Sequence, residues 1–298
     1  MFKSATLLHS HTILKCAPHQ FRIQCVQFSG RRASLARPRS YGGILATITA
    51  QPQQSVRPIP GAPGRRYDHY FFSIMSLLML VSVFIGFARS YFLAGIFRAP
   101  LPSPIIHIHG AAFTAWILLL VTQTSLVAAG RTDIHRRLGI AGFLLGCLMV
   151  ILGVMASTDS LIRHAGQLDP FGRDPQAFYL VPMSDMLLFA TFIYFAFRNR
   201  KDSPAHKRYI YIASTTLMVA AIARWPLAFV SRNVLVSSLV SDVFLLFLIA
   251  YDLWSTRKIH RATLWAGALL IFVEQIRLPL GKTALWHSFA NWVITHAR

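Results

Sequence analysis

The sequence predicts an all-α protein, a polytopic transmembrane helical bundle of about seven spans, and three observations lead there. Apolar residues make up 54% of the 298 while charged residues make up 13%, about half the charged share usual in a soluble globule. Seven windows are apolar over the roughly 20 residues that a helix needs to cross hydrocarbon. Nearly all the basic residues fall between those windows and in an N-terminal arm, with Arg224 and Arg277 the exceptions inside them.

The net charge of +20, from 30 Lys and Arg against 10 Asp and Glu, is distributed in a way that excludes a nucleic-acid partner. A nucleic-acid-binding domain gathers its cations on one folded face, whereas here they form short clusters between apolar runs, as in a chain oriented across a lipid bilayer. Three cysteines build neither a disulfide framework nor a zinc site, because Cys16 and Cys25 lie in the arm and Cys147 lies inside an apolar run.

The first element is the arm, residues 1–67. It contains no acidic residue before Asp68, while Lys3, Lys15, Arg22, Arg31, Arg32, Arg37, Arg39, Arg57, Arg65 and Arg66 carry positive charge. That composition suits an organellar transit peptide better than a secretory signal, which would need an apolar core after the first basic residues. It equally suits a disordered basic arm or a start placed upstream of the true one, and RPIPGAPGRR (57–66) reads as linker.

The membrane domain follows over residues 68–283. Its clearest spans are expected at Tyr70–Ala88, Ile105–Ala129, Leu138–Ser157 and Phe178–Phe197; three more, at Tyr209–Val230, Val234–Tyr251 and Ala262–Leu280, each include one or two ionisable residues. Lys and Arg near span ends stay on the cytoplasmic side or its organellar equivalent. The second loop carries Arg131, Arg136 and Arg137, the fourth Arg198, Arg200, Lys201, Lys207 and Arg208, and the sixth Arg257, Lys258 and Arg261. The odd loops are poorer, with Arg98 in the first, Arg163 and Arg173 among acidic residues including Asp169 in the third, and Arg232 in the fifth. The expectation is N-terminus in, C-terminus out. Residues 284–298 are too short to cross and carry Trp286 and Trp292, which predicts an interfacial helix on the outer face.

Ionisable groups inside spans are costly and mark sites. At about 1.5 Å per residue, Asp185 lies about 10 Å and Asp242 about 13 Å below the outer ends of their spans. Arg224, Glu274 and Arg277 land in the same outer half, with His107 and His109 where the second span leaves the outer surface. Three carboxylates and two guanidiniums at one level can neutralise one another. They either pin the bundle or form an outward-facing polar pocket for a small polar or anionic solute, or for protons. Buried ion pairs are a costly route to stability alone, which keeps the pocket in play.

Histidines mark both ends. His135, His206 and His260 each open a span at the inner boundary, with Gln123 near the same layer; His107 or His109 with His164 form an outer set. Such groups are ordinary interfacial anchors, or ligands to a metal or to haem b, or contacts for a quinone headgroup. All lie at or beyond span ends, where a haem would sit half in water. No phosphate-binding loop, nucleophile elbow, zincin helix or CxxCH site is present, so nothing points to an enzyme. A membrane scaffold or assembly factor without a ligand is the third reading.

The segment HIHGAAFTAWILLLVTQTSLVAAGRTDIHRRLG (107–139), followed by DMLLF (185–189), HKRYI (206–210), AIARWP (221–226) and YDLWSTRKIHRATLW (251–265), resembles a family of bacterial polytopic membrane proteins of unknown function. The resemblance covers nearly everything after Tyr67. It implies a helical bundle in the bacterial inner membrane and carries no agreed activity. The arm departs from that family's pattern, which favours an upstream start over a transit peptide; an organellar membrane would follow only from a transit peptide. A vaguer likeness links the chain to b-type membrane cytochromes.

Overall fold

The computed structural model describes residues 8–9, 12–19, 22–28, 67–100, 103–168, 172–231 and 233–297. The chain divides into two units, Met1–Arg57 and Pro58–Arg298. In the first, strands β1 (Leu8–His9), β2 (Thr12–His19) and β3 (Arg22–Phe28) pair antiparallel in the order β1-β2-β3. The linker at 57–66, Asp169 and Arg232 lie outside the described residues.

Every described element of the second unit is helical. The long helices are α1 (Asp68–Phe87), α3 (Pro104–Ala128), α4 (Thr132–Arg163), α5 (Pro175–Arg198), α6 (Ser203–Ile222), α8 (Val234–Thr256) and α9 (Arg261–Gly281). Short helices α2 (Ala94–Phe97) and α7 (Ala228–Ser231) sit in connections, and α10 (Ala284–His296) closes the chain. A π-helical turn, Ala88–Phe92, extends α1 and carries Arg89. With Arg98 this gives the first loop two cations, still fewer than the second, so the charge order of the loops stands.

Six of the seven long helices are long and apolar enough to cross a membrane, and the chain is an integral membrane protein. The seventh, α6, falls short of that apolarity for a structural reason. It packs against α1, α5, α8 and α9, and 13 of its 20 residues are buried, among them Arg208, Ser214, Thr215 and Thr216. A helix surrounded by other helices does not need a lipid-compatible surface and can carry hydroxyls that bond its own carbonyls, as Thr215 does to Tyr211 (3.1 Å) and Thr216 to Ala213 (2.7 Å). The outer helices show the reverse: α1 exposes Ile74, Leu77, Val81 and Phe84 and buries Met75, Met79, Ser82 and Gly86. That three-to-four-residue spacing gives one lipid face and one packing face.

Close approach depends on small residues. A Cβ on Gly86 would collide with the carbonyl oxygen of Ala221, so α1 and α6 touch backbone to backbone. A Cβ on Gly281 would lie 2.6 Å from the carbonyl oxygen of Ala177, joining the end of α9 to the start of α5.

Two spans differ from their sequence expectation. The fifth ends at Ile222, not Val230, because Pro226 supplies no N–H and disfavours helix at Trp225 before it; Arg224 is therefore in a turn rather than within a helix. The third runs 32 residues, Thr132–Arg163, about 48 Å at 1.5 Å per residue, well beyond the hydrocarbon thickness of about 30 Å. Its ends stand clear of the span, and the far one carries the Arg163–Asp159 pair (2.9 Å).

Helix α10 buries Ala290, Val293 and Ile294 beside Leu161 of α4 and Tyr179 of α5. Its Trp286 indole donates to the Gln176 carbonyl (2.8 Å), while Leu285, Phe289 and Trp292 stay exposed.

Candidate functional site

Two buried charge networks lie at opposite ends of the bundle, and their completeness differs. At the end carrying the basic loops, Asp252 of α8 is fully buried and pairs with Arg208 of α6. Its carboxylate also accepts from Arg208 Nε (3.0 Å), Thr263 Oγ1 (2.6 Å) and the His260 N–H (3.0 Å), while Arg208 Nη1 donates to the Pro204 carbonyl (2.7 Å). Beside it, Lys207 pairs with Asp68, which also accepts from the Tyr251 hydroxyl (2.7 Å). Each cation has its carboxylate and each carboxylate its donors, so these networks tie α1, α6, α8 and α9 together.

The imidazole of His260 caps α9 by accepting from the Ala262 N–H at Nδ1 (3.1 Å). Burial, followed by the charge of Arg208, holds its pKa below the usual histidine value, which keeps that nitrogen bare for the cap.

The second network, towards the far end, is incomplete. Arg277 of α9 pairs with Asp185 of α5 and donates from Nη2 to Ser238 Oγ of α8 (3.0 Å) and from Nη1 to Ser184 Oγ of α5 (3.4 Å). Glu274, one turn earlier on α9, lies 3.7 Å from Nη2. Asp242 of α8 faces Glu274 within hydrogen-bonding reach, yet both Asp242 oxygens and Glu274 Oε2 are buried without a donor. All four side chains are buried. Three carboxyls thus share one guanidinium, and fully ionised they would leave two uncompensated negative charges in a low-dielectric interior. Two carboxylates in contact have only acceptors; a bond between them requires a proton.

A cavity of about 360 Å³ opens beside this cluster, and Asp185 forms part of its wall. His109, His164, Arg173 and Arg224 line it as well. The His109 ring lies tilted against that of Phe113 (centroids 4.1 Å apart) and its Nδ1 is buried without a partner. His164 Nδ1 bonds the Ser160 carbonyl (2.8 Å). Arg224 donates to the Ala220 carbonyl (2.6 Å) and lies over the Phe87 ring.

Of the residues placed at one level by the sequence, the structure brings Asp185, Asp242, Glu274 and Arg277 into contact. Arg224 and His109 share the adjoining cavity with Asp185 but join no ion pair with the carboxyls. His107 lies outside both; its ring meets Tyr91 edge-on (5.4 Å). At the basic end, His135 and His206 line a second cavity, of about 720 Å³, and His260 does not. Among the described residues no group of three or more His, Cys, Asp or Glu is placed to hold a metal ion.

Sequence reasoning missed the Arg208–Asp252 pair, since Arg208 counted as a loop charge, and missed Ser184 and Ser238. The signal for the serines was available: Ser184 adjoins Asp185, and Ser238 precedes Asp242 by four residues on one helix face.

Compared with protein-family models, curated proteins and solved structures, the chain matches none.

Proposed function

We propose that this membrane protein binds a small anionic solute in its far-end cavity and moves it together with a proton held by the Asp242–Glu274 pair. The observation carrying this reading is the buried contact between those two carboxyls beside an ion pair that can neutralise only one of three acids. A bundle that needed only pinning would resemble the Arg208–Asp252 and Lys207–Asp68 network at the basic end, where each charge is matched; a scaffold reading leaves the carboxyl contact without a purpose. The solute class follows from the cavity wall, where the guanidiniums of Arg173 and Arg224 supply donors suited to an anion. Asp185 joins the two parts, since it faces the cavity and holds the Arg277 guanidinium that Glu274 approaches. Solute charge arriving near Asp185 perturbs the balance on Arg277, and the shared proton responds. The loop charges support a bacterial inner-membrane setting with the basic end in the cytoplasm and the cavity facing outward, as does the resemblance in sequence to bacterial polytopic proteins.

The test uses proteoliposomes loaded with a pH-sensitive dye and given an inward gradient of succinate or inorganic phosphate. Proton uptake that depends on the anion, and is lost in Glu274→Gln and Asp242→Asn, is the expected result. No anion-dependent uptake above that of protein-free vesicles overturns the reading.

A further inference from the structure

The cavity at the basic end has a geometry that the anion reading does not use. His135 and His206 are each the fourth residue of their helices, α4 and α6, and so enter at the same level. Their ring centroids are 6.3 Å apart with planes at 80°. Two imidazoles ligating one metal from opposite sides, with each nitrogen about 2 Å from the metal, place their centroids about 6 Å apart. The His206 Nδ1 sits 2.8 Å from the Ala196 carbonyl; a carbonyl only accepts, so Nδ1 carries the proton and Nε2 is left bare to ligate. That backbone bond is the usual way a ligating imidazole is held in one tautomer. His135 Nδ1 is buried with no partner, as is Gln123 Oε1 beside it, so the cavity contains polar atoms waiting for something that the protein itself does not supply.

The rest of the wall is apolar and aromatic, including Trp116, Leu119, Phe143 and Phe197, and three cations, Arg136, Arg200 and Lys201, stand around it. Its volume of about 720 Å³ falls within the roughly 300–1,000 Å³ typical of cofactor sites. A flat apolar macrocycle with two anionic arms matches that division between wall and rim. The depth objection raised by the sequence is also reduced: the cavity runs inward from the histidines to Trp116, whose indole bonds Ser214 of α6, two turns deeper than His206 (3.3 Å).

We infer that this cavity is a haem b site, with His135 and His206 as the axial ligands and the three cations taking the propionates. It is independent of the carboxyl cluster at the other end. The site holds the macrocycle without a covalent link and leaves the iron six-coordinate, with two imidazoles and four pyrrole nitrogens.

The test is a titration of the detergent-purified protein with ferric protoporphyrin IX, read by visible absorption and electron paramagnetic resonance. Expected is saturation at one equivalent with a low-spin bis-imidazole spectrum and, after dithionite reduction, a sharp ferrous α-band. His135→Ala and His206→Ala each convert the spectrum to high-spin or weaken binding at least tenfold. Gly139→Leu, which keeps both ligands but fills the cavity, weakens binding as well. His260→Ala and Glu274→Gln leave the spectrum unchanged, which separates this site from the anion reading. Absence of saturable low-spin binding by the wild-type protein overturns the inference, whatever the variants do. Unchanged spectra in both His135→Ala and His206→Ala overturn it too, and so does loss on His260→Ala.

Discussion

Replacing Asp252 and Asp242 separately with asparagine distinguishes the two buried networks, although both aspartates lie on α8 and both are buried. At position 252 the amide keeps the shape but removes the charge that compensates Arg208, and its NH₂ cannot accept from Thr263 Oγ1 or the His260 N–H. Removing one partner of a buried pair costs about 3–5 kcal/mol. At position 242 neither carboxyl oxygen has a donor other than the proton shared with Glu274, and the new amide can donate to Glu274 in its place, so the expected change is within about 1 kcal/mol or is stabilising. The gap is roughly 3 kcal/mol, against a total stability of about 5–15 kcal/mol for a typical domain. It corresponds to about 6–12 °C between the two variants by the scaling for chains of this size. Thermal unfolding in one detergent, followed by intrinsic tryptophan fluorescence, reads it directly. Equal losses in the two variants, or a larger loss in Asp242→Asn, would refute the distinction between a matched and an unmatched network.

Further outcomes follow from the same contacts. Arg277→Gln strips the only guanidinium from three carboxyls and lowers stability by about 3–5 kcal/mol; adding Glu274→Gln restores part of it, measured in the same melts. Gly86→Val drives a side chain into the Ala221 carbonyl and costs at least about 1–3 kcal/mol, seen as a loss of monodisperse protein in size-exclusion chromatography. The His260 cap depends on pH. Because its folded pKa is lowered, its stabilising contribution is present above the ordinary histidine pKa of about 6.5 and is lost as pH falls through the folded value. His260→Asn keeps the cap, since asparagine is a favoured N-cap residue, and flattens that part of the pH–stability curve.

Much of the architecture was legible because lipid imposes a simple requirement. Helices facing hydrocarbon must be apolar over about 20 residues, and α1, α3, α4 and α5 announce themselves by that alone. The position of α6 was legible but its ends were not, because a helix enclosed by others carries Arg208 and a run of hydroxyls at no cost to a lipid surface, and Pro226 sets its end by backbone geometry rather than by hydropathy. The level of Asp185, Asp242, Glu274 and Arg277 could be read from helix rise. Their pairing could not, because rise fixes depth and leaves rotation about each helix axis open. Arg224 shows the consequence, sharing a level with the carboxyls while bonding the carbonyl of its own chain. His135 and His206 were visible only together with His260, as three histidines opening spans at one boundary; which two meet, and the separation between their rings, depends on how α3 and α5 hold α4 and α6, which a single sequence does not express.

Glu274 is the only glutamate in the chain, so a carboxyl carbon label on glutamate reports on one side chain. The infrared carbonyl region of the protein carrying ¹³C-carboxyl glutamate, recorded near neutral pH, tests the proton sharing at the centre of the account. The account predicts an isotope-shifted protonated-carboxyl band that weakens when Asp242→Asn removes the partner acid. A spectrum in which the label appears only as ionised carboxylate, with or without Asp242, would contradict it.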